Sequence, residues 1–224
     1  DRPQAGRYRQ FWQFDIEAIG DPGPAIDAEV VELGYRFHGE AGVRGVEVLL
    51  NSIGDPVCRP AYVAALTDYY RGHAGVLPPT ERARLERNVL RLLDSKDPAM
   101  AELNAAAPRI TDHLCPACQD HFDAVRVPLD VLDVPYRVEP ALVRGLDYYT
   151  GTVYETFLTD LPTIGSVCSG GRYDNLTERY TKQALPGVGA SLGLDRLLAA
   201  MEELKLLPGA TTPAPVLVTQ FAAN

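Results

Sequence analysis

Three segments concentrate the side chains that could do chemistry. In Leu142-Val143-Arg144-Gly145-Leu146-Asp147-Tyr148-Tyr149-Thr150-Gly151 an arginine stands beside a glycine. A planar guanidinium with close backbone clearance suits a phosphate or a carboxylate, and the Tyr148 and Tyr149 hydroxyls can each donate and accept. The plainer reading is an aromatic hairpin whose tyrosines divide between core and surface. In Ser169-Gly170-Gly171-Arg172-Tyr173-Asp174-Asn175-Leu176 a glycine pair stands where the backbone must pass close to a ligand or simply turn. In Gly187-Val188-Gly189-Ala190-Ser191-Leu192-Gly193-Leu194-Asp195-Arg196 a small-residue strand runs into a helix and puts Arg196 near its N-terminus. Guanidinium and helix dipole together favour a polyphosphate there. These glycines lack the G-x-G-x-x-G spacing of a dinucleotide site, and close packing of two elements would also call for them.

A fourth cluster, His113-Leu114-Cys115-Pro116-Ala117-Cys118-Gln119-Asp120-His121, offers two thiols and two imidazoles. That inventory could bind zinc, but zinc sites usually draw their ligand pairs from separated elements, whereas these lie on one turn and helix start. No thioredoxin-like βαβ unit surrounds the Cys-x-x-C pair. The expectation is therefore no protein-bound metal. His38 and His73 have no partner legible in the sequence.

The elements that must position these residues follow from periodicity. Residues 7–17 read as a strand with Arg9, Phe11, Gln13, Asp15 and Glu17 on one polar face. Asp21-Pro22-Gly23-Pro24 turns the chain, and Ile26, Val30, Leu33 and Phe37 recur at helical spacing. Val46, Val48 and Leu50 alternate as a second strand ending at Gly54-Asp55-Pro56. From Arg59 to Val131 the pattern is helical: Tyr62, Leu66 and Tyr69 share a face, Thr80 to Leu93 reads as one charge-rich helix, and Asp97-Pro98 can start another. Strands return at 136–139, 152–158 and 186–193, then an amphipathic helix covers 194–206. Residues 210–215 have linker composition, and Val216-Leu217-Val218-Thr219 opens a further strand.

A chain of 224 residues, 46% hydrophobic and 23% charged, has the composition of a globular protein with a sizeable core. No apolar run is long enough to span a membrane and no leader is visible, so a cytoplasmic protein is the expectation. A net charge of -9 argues against a surface built for non-specific nucleic-acid binding. Four cysteines are too few for a disulfide scaffold.

At these residues the chain resembles histidyl-tRNA synthetase, a class II aminoacyl-tRNA synthetase family. The resemblance rests on Arg-Gly-Leu-Asp-Tyr-Tyr-Thr-Gly-Thr-Val-Tyr-Glu at 144–155, on residues 169–176, and on a motif 3 ending in Gly193-Leu194-Asp195-Arg196. Residues 2–11 look like the loop and second strand of motif 2. The resemblance implies an α+β fold, an antiparallel sheet flanked by helices, with a helical insertion at 59–131 between the catalytic parts 1–58 and 132–209. It further implies that 210–224 begin an anticodon-binding domain, and that motif 1, through which family members dimerise, lies before Asp1.

The implied reaction is attack of the L-histidine carboxylate on the α-phosphate of ATP, with Mg2+ accompanying the phosphates, followed by transfer to tRNA(His). On these positions Arg144 is the catalytic candidate, gripping α-phosphate and carboxylate. Gln13, Glu17, Tyr148 and Tyr149 join it as the histidine-binding set, and Arg7, Arg9, Gln13 and Arg196 as the ATP-binding set. Glu17 and Tyr149 would supply the acceptor and donor that a neutral imidazole needs; without the family, Glu17 reads as a solvated strand-end carboxylate. The competing class is the histidine-sensing regulatory subunit of ATP phosphoribosyltransferase, a non-catalytic relative that would be free to lose the ATP-binding arginines. A bare tRNA-binding fragment fits the charge poorly. Arg84, Arg87 and Arg91, spaced to share one helix face, are expected to form a positive stripe for tRNA phosphates.

Overall fold

The computed structural model describes residues 8–143 and 148–207. A six-stranded sheet organises them, in the order β1 (Gln13–Ile19), β6 (Gly187–Gly193), β5 (Cys168–Arg172), β4 (Thr152–Leu158), β2 (Val46–Ser52), β3 (Tyr136–Val138). Every pairing is antiparallel except β2 with β3, so the antiparallel expectation fails at that edge. The reason is topological: the chain leaves β2, builds the helical segment and comes back, and such a crossover returns in the parallel sense.

One face of the sheet is packed. Helix α1 (Pro24–Glu40) has proline in its first turn and buries Ala28, Val30, Val31, Gly34 and His38, a recurrence of three and four that faces one side. Helix α5 (Pro116–Val131) buries Phe122, Val125 and Leu129 at the same spacing. Both lie on Val48 and Leu50 of β2, Tyr154 of β4 and Val188, Ala190 and Leu192 of β6. Helix α5 thus shares the core of the sheet, although its position in the chain lies within 59–131. Helix α6 (Leu194–Glu203) follows β6 directly and closes a smaller cluster with Leu158, Ile164 and Val167.

The preceding helices have a core of their own. Tyr62, Leu66 and Tyr70 of α2 (Arg59–Gly72) pack with Leu77, Leu92, Met100 and Ile110. The Tyr70 hydroxyl donates to Asn104 Oδ1 at 2.7 Å, in α4 (Ala101–Ala105). The expected single helix over 80–93 is broken. Helix α3 (Pro79–Leu85) stops, Asn88 adopts an extended conformation, and its side chain accepts from Leu90 N to start a 3-10 turn at Val89–Leu92. Arg84 pairs with Glu81 at 2.9 Å and Arg82 Nε donates to the Leu77 carbonyl at 2.9 Å. Arg84, Arg87 and Arg91 therefore do not share the continuous helix face expected of them; Arg84 and Arg91 instead line one cavity with Lys96, among the carboxylates of Glu81, Asp94 and Asp97.

The first strand is also shorter than expected. It begins at Gln13, because its partner β6 ends at Gly193 and has nothing further to offer. Trp12 bonds instead to the start of α6: its N–H donates to Asp195 Oδ2 at 2.6 Å and its carbonyl accepts from Leu194 N at 3.0 Å. Arg9 and Phe11 precede the strand, exposed.

His38, fully buried in α1, donates from Nδ1 to the Gly34 carbonyl at 2.6 Å, while its Nε2 has no hydrogen-bond partner among the described residues. Burial pushes its pKa below 6.5, only partly offset by that carbonyl. A proton then binds the unfolded imidazole more readily than the folded one, so stability falls as pH drops below about 6.5. Urea midpoints measured from pH 7.5 to 5.5 should decline, and His38→Leu should flatten the slope. An identical slope in both proteins would remove His38 as its source.

Candidate active site

The unpacked sheet face is built by alternation. Along β1, Gln13, Asp15 and Glu17 point the same way. The register sets Asp15 opposite Ser191, Ser191 opposite Ser169, and Ser169 opposite Glu155, a polar row running across four strands. Glu17 lies opposite Gly189, and Gly189 opposite Gly171. The floor beside Glu17 is therefore bare backbone.

Those glycines are required by close approach. A Cβ on Gly189 would collide with the Glu17 carboxylate, and one on Gly187 with the Tyr173 ring. Across that floor the Tyr173 hydroxyl donates to Glu17 Oε2. Burial, reinforced by the Glu17 carboxylate, pushes the Tyr173 phenol well above its ordinary value, so it stays a donor. The Tyr148 ring meets Tyr173 edge-on at 6.1 Å and Tyr149 at 4.6 Å. Glu17, Tyr148, Tyr149 and Tyr173 thus form one group: a carboxylate within an aromatic, hydroxyl-bearing wall.

At the other end of β1, Gln13 Nε2 donates to Ser191 Oγ. A cavity of about 280 Å³ opens there, lined by Phe11, Trp12, Gln13, Ser191, Asp195 and Arg196 among others. Arg196, in the first turn of α6, reaches the Ser166 carbonyl through Nη1. A second cavity of about 710 Å³ shares Ser166, Ser169 and Arg196 with the first and adds Glu155, Asp94 and Lys96. Asp94 and Lys96 come from the helical segment, so that segment reaches over the open face.

Of the residues expected at the site, Glu17, Tyr148 and Tyr149 come together, as do Gln13 and Arg196. Arg9 stands in an exposed bend before β1. Arg7, Arg144 and the strand expected at 216–219 lie outside the described residues. Tyr173 carried no role in the sequence reading. Its adjacency to a glycine pair was visible, but its reach to Glu17 depends on β6 lying between them. Ser169-Gly170-Gly171-Arg172 is not a turn: it is β5, a central strand. Arg172 in that strand is structural, buried with its Nε 3.0 Å from Asp27 Oδ1.

The mixed cluster at 113–121 also divides. His113 packs against the Tyr62 ring at 5.6 Å and His121 Nε2 lies 2.9 Å from Asp27 Oδ2. Cys115 and Cys118 turn instead toward Asp55 and Cys58.

A family model described as histidyl-tRNA synthetase matches residues 73–197. The chain is 44% identical to the histidine–tRNA ligase of Pelotomaculum thermopropionicum, over 98% of this chain and 52% of that protein. It is 44% identical to the corresponding ligase of Dechloromonas aromatica, over 100% of this chain and 52% of that protein. The crystal structure of apo S. aureus histidyl-tRNA synthetase superposes with a TM-score of 0.69 at 34% identity, covering 90% of this chain and 50% of that one. The chain spans about half the length of these relatives. The fold and the matched residues together place the chain in the histidyl-tRNA synthetase family.

Proposed function

We propose that this chain carries the adenylation site of a histidine–tRNA ligase, which joins L-histidine to ATP as histidyl-adenylate, releases pyrophosphate and passes the histidyl group to tRNA(His). The observation that supports the reading best is the Glu17–Tyr173–Tyr148–Tyr149 group on a glycine floor, on the same sheet face as the Gln13–Arg196 cavity.

A neutral imidazole carries one donor and one acceptor. Glu17 Oε2 already accepts the Tyr173 hydroxyl, which leaves its other oxygen for the imidazole N–H, and a tyrosine hydroxyl can serve the second ring nitrogen. A substrate lacking both nitrogens would strand these groups, a difference on the order of 10⁴ in specificity. Gln13 fits the amino or carboxylate end. Arg144 spans the carboxylate and the α-phosphate, holding the attacking oxygen in line with the departing pyrophosphate. Arg196 takes the outer phosphates, and Arg7 and Arg9 approach ATP from the opposite side. Magnesium enters with the ATP phosphates as part of the substrate. The protein's work is positioning and charge neutralisation.

In this reading 1–58 and 132–209 are the catalytic body and 59–131 the insertion, with α5 packed on the sheet side of that boundary. Residues 210–224 are a linker and the first strand of an anticodon-binding domain, and the full-length protein is a cytoplasmic homodimer. Among the described residues no helix is long and apolar enough to cross a membrane.

Pyrophosphate exchange into ATP by the full-length protein is expected only when histidine is present. Exchange stimulated equally by another amino acid overturns the reading. Calorimetric histidine binding with no exchange at all would favour the regulatory-subunit alternative.

A further inference from the structure

The Cys115-x-x-Cys118 pair at the start of α5 faces a second pair, Asp55-x-x-Cys58, at the end of the loop after β2, some 60 residues earlier in the chain. One ligand atom from each of the four lies within 4.8 Å of all the others. Cys58 Sγ and Cys118 Sγ are 3.8 Å apart, and Cys115 Sγ is 4.0 Å from Asp55 Oδ2. Zinc–sulfur bonds of about 2.3 Å in a tetrahedron set sulfurs about 3.8 Å apart, so the Cys58–Cys118 pair stands at that spacing and the other ligand atoms, at up to 4.8 Å, need only small side-chain rotations to close on an ion. We propose that Asp55, Cys58, Cys115 and Cys118 form a structural zinc site, a function independent of the adenylation reading.

Three further features fit the proposal. Asp55 Oδ1 accepts from Val57 N and Cys58 N, both at 2.9 Å, which fixes the carboxylate and leaves Oδ2 toward Cys115. The Asp55 N–H points at Cys58 Sγ at 3.4 Å, the kind of N–H···S contact that orients a metal-bound thiolate. Gly54, at φ +65°, lets the backbone pass so close to Cys58 Sγ that a Cβ would strike it. Three thiolates and one carboxylate suit zinc rather than magnesium or calcium. On binding, the thiol protons pass to solvent.

The site would join the entrance of the helical segment to its exit. It would also brace the proposed active site from behind. The loop holding Asp55 exchanges hydrogen bonds with Gly151 through Ile53 N (2.8 Å) and Gly54 O (2.9 Å). Arg59, one residue beyond Cys58, donates to the Tyr149 carbonyl at 2.8 Å.

The test uses the full chain, expressed with zinc and purified under reducing conditions without chelator. Plasma mass spectrometry should find one zinc per chain. Cobalt exchanged into the stripped protein should give the visible bands of tetrahedral Co2+ and near-ultraviolet thiolate charge transfer. Cys115→Ser should weaken metal binding at least about tenfold, whereas Asp55→Cys should retain it with a stronger thiolate band. Because Cys58→Ser or Cys118→Ser could prevent folding, the cobalt titration of the unaltered chain, followed by circular dichroism, decides. Folded, reduced protein with no zinc and no cobalt spectrum overturns the proposal. A Cys58–Cys118 disulfide in protein from a reducing cytosol also overturns it, and makes the cluster a redox pair.

Discussion

Glu17→Gln should lower kcat/KM for histidine in pyrophosphate exchange by about a hundredfold, close to 3 kcal/mol, while leaving the melting temperature nearly unchanged. The size follows from replacing a charge-assisted hydrogen bond with a neutral one and letting the amide present its NH2 to a ring nitrogen that also donates. Stability should survive because Glu17 lies on the open face of a strand that is at the sheet edge among the described residues, and the glutamine carbonyl can still accept the Tyr173 hydroxyl. The loss should fall on histidine and not on the KM for ATP, since the Arg196 cavity sits at the other end of β1. A variant that loses ATP affinity equally, or retains full activity, would show that the Glu17–Tyr173 group is not the imidazole pocket.

Asp27→Ala should destabilise the fold by about 3–5 kcal/mol at neutral pH and lower Tm by about 10 °C. Asp27 is fully buried in α1, and both oxygens face the Arg172 guanidinium and His121. Without it, Arg172 keeps the Asp174 carboxylate at 3.0 Å and the Gly23 carbonyl at 3.1 Å, but Asp174 is partly solvent-exposed and the buried Nε loses its carboxylate partner in a low-dielectric core. Burial alone would raise the Asp27 carboxyl, but hydrogen bonds from His121 and Arg172 outweigh it and hold the pKa below the ordinary carboxylate value. A depressed carboxylate contributes its stability above its unfolded pKa, about 3.9, and loses it as pH falls through the folded value. Urea titrations of the two proteins should therefore differ most at pH 7 and converge below about pH 4. A gap under 1 kcal/mol, or one independent of pH, would mean that Arg172 is satisfied without Asp27.

What could be read from the sequence was what repeats. The α1 spacing, the β2 alternation and the β6-to-α6 passage each carry a period of two or about 3.6, and all three elements formed where that period placed them. The glycine strand β5 carries no period, because its two glycines serve neighbouring strands and rings instead of a face of their own. The break after Leu85 escaped for the same kind of reason: arginine and glutamate are good helix formers, and the run is broken by a local bond that the Leu90 N–H donates to Asn88 Oδ1. At the site, Glu17 and the tyrosine pair were legible as residue types with a shared purpose. Tyr173 and the Asp55–Cys58 half of the thiol cluster were not, since each meets its partners only across the fold.

At one edge of the sheet, strands from opposite ends of the described chain meet: among the described residues β1 pairs with β6 alone. During synthesis, Gln13 and Glu17 therefore wait for their β6 partners until Gly193 has left the ribosome. The helices between 59 and 114, which hold mostly local contacts, can condense first, whereas the β1–β6 edge closes last and with the longest loop. Interruption before β6 would leave Glu17 without the Gly189 floor, and so leave the proposed pocket unbuilt.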